Sequence, residues 1–188
     1  MRIDLGNCVM RDWERADAPA LFRHANNRKI AMWLRNQFPH PYTVADAEAF
    51  LAAVSRQSLR TDFAIAVADE AVGGIGLEFG RDVHRFTAEV GYWLGEPFWG
   101  RGIMTRAVRQ LTAWAFDNLD LHRIYTTVFS GNVASARVLE KAGYEYEGCL
   151  RASVFKDGQV RGQLVYAKIR ADLLEACGTG MTPSSGVA

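Results

Sequence analysis

The chain has 188 residues, 49% hydrophobic and 23% charged, which fits one folded domain with its own core and excludes disorder for most of its length. Lys and Arg total 22 against 21 acids, and a net charge of +1 gives no electrostatic case for direct nucleic-acid binding or for a membrane surface as the main partner. Cys8, Cys149 and Cys177 lack metal-ligand or redox spacing and read as free thiols, the N-terminus lacks a signal-peptide core, and no run of about 18 apolar residues occurs, so a cytoplasmic protein is expected.

In chain order, a strand is predicted over Cys8 to Trp13, and Asp17 is the expected N-cap of an amphipathic helix carrying Ala20, Leu21 and His24. The turn-rich connector Asn36 to Tyr42 leads to Thr43 and Asp46, spaced as a capping box, and to a second helix through Ser55. Runs rich in β-formers over Asp62 to Ala68, Val72 to Phe79 and Arg85 to Leu94 predict an antiparallel meander. From Arg101 to Phe116 the residues Met104, Ala107, Val108, Leu111, Trp114 and Ala115 recur at helical steps and mark a buried face. A strand follows over His122 to Phe129, then a short helix with Asn132 as its cap and Gly143 as its left-handed C′ residue. Asp157-Gly158 is a hairpin signal between strands over Glu145 to Phe155 and Gln159 to Lys168. One domain is expected over residues 1–172, with a disordered small-residue tail over 173–188.

The most informative stretch is Tyr92-Trp93-Leu94-Gly95-Glu96-Pro97-Phe98-Trp99-Gly100-Arg101-Gly102-Ile103-Met104-Thr105, where an apolar strand runs into glycines that open a helix. Such a junction points unpaired N–H groups at one spot and suits a phosphate. Helix dipoles favour acids in the first turn, yet this helix carries Arg101, Arg106 and Arg109 and no acid before Asp117, which a bound polyanion would offset. Gly95-x-x-x-x-Gly100-Arg101-Gly102 has P-loop glycine spacing but lacks both its Lys and its Ser or Thr; a dinucleotide motif lacks its third glycine at Thr105. The bland alternative for these glycines is an ordinary strand-to-helix turn.

With Trp99-Gly100-Arg101-Gly102-Ile103-Met104 in the place of the pattern Arg/Gln-x-x-Gly-x-Gly/Ala, the chain resembles the GNAT superfamily of acetyltransferases. The resemblance is to the branch of the RimJ and RimL ribosomal-protein N-terminal acetyltransferases. Phe38-Pro39-His40-Pro41-Tyr42-Thr43, Glu89-Val90-Gly91-Tyr92-Trp93-Leu94 and Asn132 to Tyr144 fit the same branch in order, over about residues 8 to 170. The resemblance implies an α/β GNAT fold: a mixed sheet of about seven strands that splays at its centre, with four to five helices. It further implies acetyl-CoA as cosubstrate, with pantetheine laid against Tyr92, Trp93 and Leu94, and pyrophosphate on the amides from Gly100 through Arg101, Gly102, Ile103 and Met104 to Thr105, beside Trp99. Asn132, Ser135 and Arg137 would complete the cofactor contacts.

Acetyl transfer to an amine needs a base, a stabilised oxyanion and a proton for the departing sulfur. Glu89 is the candidate base, acting through water, its alternative being a solvent-facing strand residue; the resemblance puts the oxyanion at a backbone N–H near Leu94. Where many relatives carry a proton-donating Tyr seven residues after the Asn, this chain has Leu139, so Ser135 is the candidate acid, its alternative being a first-turn capping partner. Asn132 serves equally as an N-cap, and Arg137 and Lys141 as a solvated helix face. Trp33, Phe38, Tyr42 and Phe155 are candidates to line the acceptor groove or, equally, to pack as core; no metal-ligand spacing is present. The expectation is an N-acetyltransferase acting on a protein N-terminal amine, as monomer or homodimer. A small-molecule amine acceptor (a polyamine or an aminoglycoside) and a non-catalytic acyl-CoA-binding module stand as alternatives.

Overall fold

The computed structural model describes residues 1–173. Eight strands form one sheet in the order β1-β2-β3-β4-β5-β6-β8-β7: β1 Arg2–Asp4, β2 Val9–Asp12, β3 Asp62–Val67, β4 Glu70–Phe79, β5 Thr87–Leu94, β6 Arg123–Phe129, β7 Glu145–Lys156 and β8 Gln159–Ile169. Five helices cover it: α1 Ala18–Ala25, α2 Arg28–Ala31, α3 Val44–Ser55, α4 Ile103–Asn118 and α5 Val133–Ala142.

β3, β4 and β5 pair antiparallel, as the meander predicts, and β2 joins β3 in the same sense. The parallel pair β5–β6 holds only over Thr87 to Glu89 against Arg123 to Tyr125. Beyond that point β5 continues to Leu94 with β4 on one side, while β6 continues to Phe129 against β8, so the sheet opens like a V. Two side-chain layers lie on its faces. Val90, Leu94, Ile103, Val108, Leu111, Ile124 and Leu139 pack between the sheet, α4 and α5. Leu21, Ala25, Ala47 and Leu51 of α1 and α3 pack with Tyr42, Trp93 and Phe38 on the other side.

Local chemistry explains most of the boundaries. Thr43 Oγ1 accepts from Asp46 N, and the Asp46 carboxylate accepts from Thr43 N at 2.8 Å, so the capping box that opens α3 is closed in both directions. Asn132 caps α5 by accepting from Ser135 N at 3.2 Å, and Gly143 ends it at φ 86°. Asp157 and Gly158, both at positive φ (52° and 76°), turn β7 into β8.

Two expectations need correction. Asp17 stands at the N-cap position of α1 but makes no cap bond; its carboxylate is buried against Arg11, at 2.7 and 2.8 Å, and accepts from Glu14 N at 2.8 Å. A buried guanidinium on β2 needs a counter-charge more than the helix needs a cap. The sheet also has an eighth strand, the three-residue β1, too short to show any periodicity. The four-residue α2 escaped sequence reading for the same reason. Residues 174–188, with Cys177 and most of the predicted tail, lie outside the described residues. No helix among the described residues is long and apolar enough to cross a membrane.

Candidate active site

A cavity of about 1300 Å³ runs through the V, from the start of α4 on one face of the sheet to the aromatic layer under α1 and α3 on the other. At the α4 end the backbone is bent by Gly100 at φ 73° and Gly102 at φ 70°, a left-handed region that favours glycine. The first helical amide to find a partner is that of Arg106, bonded to the Gly102 carbonyl at 3.2 Å. Among the described residues, the N–H groups of Gly100, Arg101, Gly102, Ile103, Met104 and Thr105 have none. Gly100, Gly102, Ile103, Met104 and Thr105 line the cavity.

The three arginines in and just before this helix, Arg101, Arg106 and Arg109, form no ion pair with a carboxylate among the described residues. Arg101 lies over the Phe98 ring, 5.3 Å from its centroid. Arg106 donates to Asn7 and keeps a buried Nε without a partner, and Arg109 donates to the Lys141 carbonyl. Unpaired amides, unpaired guanidinium charge and an orphaned donor at one helix start fit a pyrophosphate group.

β5 presents different chemistry on its two faces. On the α4–α5 side, the hydroxyls of Tyr92 and Ser135 share a hydrogen bond of 2.8 Å, and burial drives the phenol's pKa up, so Tyr92 stays neutral. Sequence reasoning had placed Tyr92 only as a main-chain wall; that alternation aims its side chain at the cap of α5 could be read only with the topology known. Leu139 is fully buried core and faces no groove. Asn132, Ser135, Arg137 and Lys141 all line the cavity from α5.

Leu94 and Gly73 are register partners, while Gly95 N donates to the Val72 carbonyl at 2.7 Å. Antiparallel alternation therefore turns the Leu94 N–H away from β4 and into the V. Its carbonyl accepts from Trp99 Nε1 at 2.7 Å, so Trp99 braces the bend between strand and helix.

On the opposite face Glu89, Gly91 and Trp93 point towards the aromatic layer. Arg35, from the loop after α2, pairs with Glu89 and reaches Glu78 at 3.4 Å, and Thr127 Oγ1 of β6 lies 3.4 Å from the Glu89 carboxylate across the opening of the V. Hydrogen bonding to Glu89 raises the Arg35 pKa and keeps the guanidinium charged. Trp33, Phe38 and Tyr42 line the cavity here. Phe38 packs on Tyr42 and Trp93 with ring centroids 5.2 and 5.8 Å away, and burial pushes the Tyr42 phenol up to about 12. Phe155 is not brought to this wall: it stands 69% exposed near the tip of the β7–β8 hairpin. Sequence reasoning missed Arg35, Glu78 and Asp62, which no local motif marks and which only strand register gathers.

A splayed mixed sheet whose central strand hands over to an amide-rich helix start defines an acyl-CoA-binding transferase domain. The model of the acetyltransferase (GNAT) domain matches residues 7–145, and the chain belongs to that family.

It is 44% identical over 86 residues to the probable N-acetyltransferase YjcK of Bacillus subtilis, a match that spans 46% of this chain and about half (48%) of that relative. It is 31% identical over 107 residues to the ribosomal-protein-serine acetyltransferase of Escherichia coli, covering 57% of this chain and 59% of the relative. To the spermidine N(1)-acetyltransferase of the same organism it is 27% identical over 157 residues, 82% of each chain. Among solved structures, RimJ of Mycobacterium smegmatis in complex with CoA-disulfide superposes with a TM-score of 0.79 at 25% identity, covering 92% of this chain and 87% of that one.

Proposed function

We propose that this protein acetylates a protein N-terminal amine by direct transfer within one ternary complex. The observation that carries the reading is the continuity of one cavity from the unpaired amides at Gly100 to Thr105, through the V, to the Glu89 carboxylate. Acetyl-CoA supplies the activated acyl group when bound. The amides from Gly100 to Thr105 and the arginines of α4 hold its phosphates, and Arg137 extends that positive rim. The Leu94 N–H, turned into the V, faces the place where carbonyl charge develops. Glu89 removes the acceptor proton through water, and the Tyr92–Ser135 pair holds a proton at the sulfur end. The name of the ribosomal-protein-serine relative supports the protein acceptor.

Glu89→Gln and Ser135→Ala test the roles directly. Each is expected to lower kcat, by about 10²- to 10⁴-fold for a lost acid or base, with the acetyl-CoA dissociation constant changed far less. Calorimetry and stopped-assay kinetics read both; wild-type turnover in the two variants overturns the assignment.

A second reading, a small polyamine as acceptor, is favoured by the acidic wall of Asp62, Glu78 and Glu89 and by the name of the spermidine relative.

A further inference from the structure

Asp62 opens β3 inside the acceptor half of the cavity, and the catalytic reading leaves it without a task. Its Oδ2 accepts from Gln57 Nε2 at 2.7 Å, and among the described residues no cation pairs with it. Burial, with Glu78 adding repulsion, holds the carboxyl above its ordinary range. A half-buried carboxylate beside a second acid ordinarily has a counter-charge.

The backbone around it is shaped to admit that carboxylate. A Cβ at Gly76 would meet Asp62 Oδ1 at 2.2 Å, so a side chain there would displace the carboxylate, which lies over β4 in the space that glycine leaves. At Gly91, on the next strand, a Cβ would meet nothing within 4 Å, so the floor between Asp62 and Glu89 is open. An acceptor is also left unfilled: Gln57 Oε1 is buried with no hydrogen-bond donor, beside the carboxylate its own amide serves. Asp62 pairs with Gly76 and Gly76 with Gly91, so Asp62 lies two strands over and two residues along from Glu89. At about 4.8 Å per strand and 3.4 Å per residue that is about 12 Å between Cα atoms.

We infer that Asp62 is a specificity-determining residue that binds a second positive charge on the acceptor while the reacting amine sits at Glu89. The acceptor class is a primary amine bearing an ammonium or guanidinium group further along an extended chain. A protein N-terminus with Lys or Arg in its next residues has this chemistry, and so does a linear polyamine. The inference rests on the transferase reading for the position of the reacting amine and narrows its acceptor.

Two measurements test it. Calorimetric titration of the protein saturated with CoA compares 1,8-diaminooctane with octylamine. Steady-state acetylation compares a peptide carrying Lys at its second position with the same peptide carrying Ala. The wild type is expected to prefer the doubly charged ligand about tenfold in each, as for a hydrogen bond to a charged group. Asp62→Asn is expected to bring both ratios near one, and Asp62→Glu to retain a preference. Equal treatment of the paired ligands by the wild type, or a preference that survives Asp62→Asn, overturns the inference.

A larger kcat/KM for the Lys peptide than for the diamine assigns the protein source, and the reverse assigns the polyamine. Should no amine be acetylated, the role of Glu89 falls, while the binding ratio still decides that of Asp62.

Discussion

Glu78 and Glu89 are register partners on β4 and β5, an arrangement of like charges that costs stability, and the Arg35 guanidinium between them answers it. Asp62, one strand further, has no such answer, and its raised pKa sets a sign. The folded protein binds that proton more tightly than the unfolded chain does. Stability from this group is therefore full at acid pH and is lost as pH rises through the elevated folded value. Asp62→Asn is expected to raise the thermal midpoint relative to wild type at pH 7 and to show little difference at pH 3.5, measured by scanning calorimetry; a pH-independent difference contradicts it. Arg11 and Asp17, by contrast, neutralise each other. Both are 6% exposed and bonded twice to each other. Asp17→Asn leaves a buried guanidinium without its counter-charge, and urea denaturation is expected to show a loss of about 3–5 kcal/mol. A loss under about 1 kcal/mol would mean that the pair is solvated.

The element that most constrains the site is the α4 start. Gly102 holds φ 70° at the N-cap, and a Cβ there would come within 3.3 Å of the Arg106 guanidinium. Gly102→Ala is expected to cost about 1–2 kcal/mol of stability and to weaken acetyl-CoA binding, as measured by calorimetry. Unchanged affinity would detach this turn from cofactor binding. This junction was legible from residues alone because its signal is local: glycines, missing acids and a helical period lie within one window. The caps at Thr43 and Asn132 and the Asp157-Gly158 turn were legible for the same reason. The acceptor wall was not. Asp62, Glu78 and Glu89 come together only through pairing registers among three strands, and Phe155 is carried past the cavity by a β7 whose register shifts between Leu150 and Val154.

At the scale of the whole molecule, function depends on a sheet that stops pairing halfway along one strand. Val90 to Leu94 keep β4 but have no partner across the V among the described residues, so their outward amides lack ladder protection. Hydrogen exchange followed by mass spectrometry is expected to show this segment exchanging faster than β4, and slowing when acetyl-CoA is added. Exchange indifferent to the cosubstrate would place binding elsewhere. The β7–β8 hairpin fastens the acceptor side to distant sequence: Lys156 donates to Asn36 at 2.9 Å, Arg28 pairs with Asp157 at 2.9 Å, and Arg161 lies over Trp33, 5.1 Å from the ring centroid. The main chain of the proposed phosphate cradle, by contrast, lies in one stretch between Thr87 and Asn118, with Arg137 of α5 completing its rim. Chain for the recipient thus leaves the ribosome on both sides of chain for the donor: Arg35 and Asp62 emerge before that stretch and Lys156 to Arg161 after it, so a nascent polypeptide cut short ahead of the last hairpin would carry both halves of the cavity without the clasp that joins them.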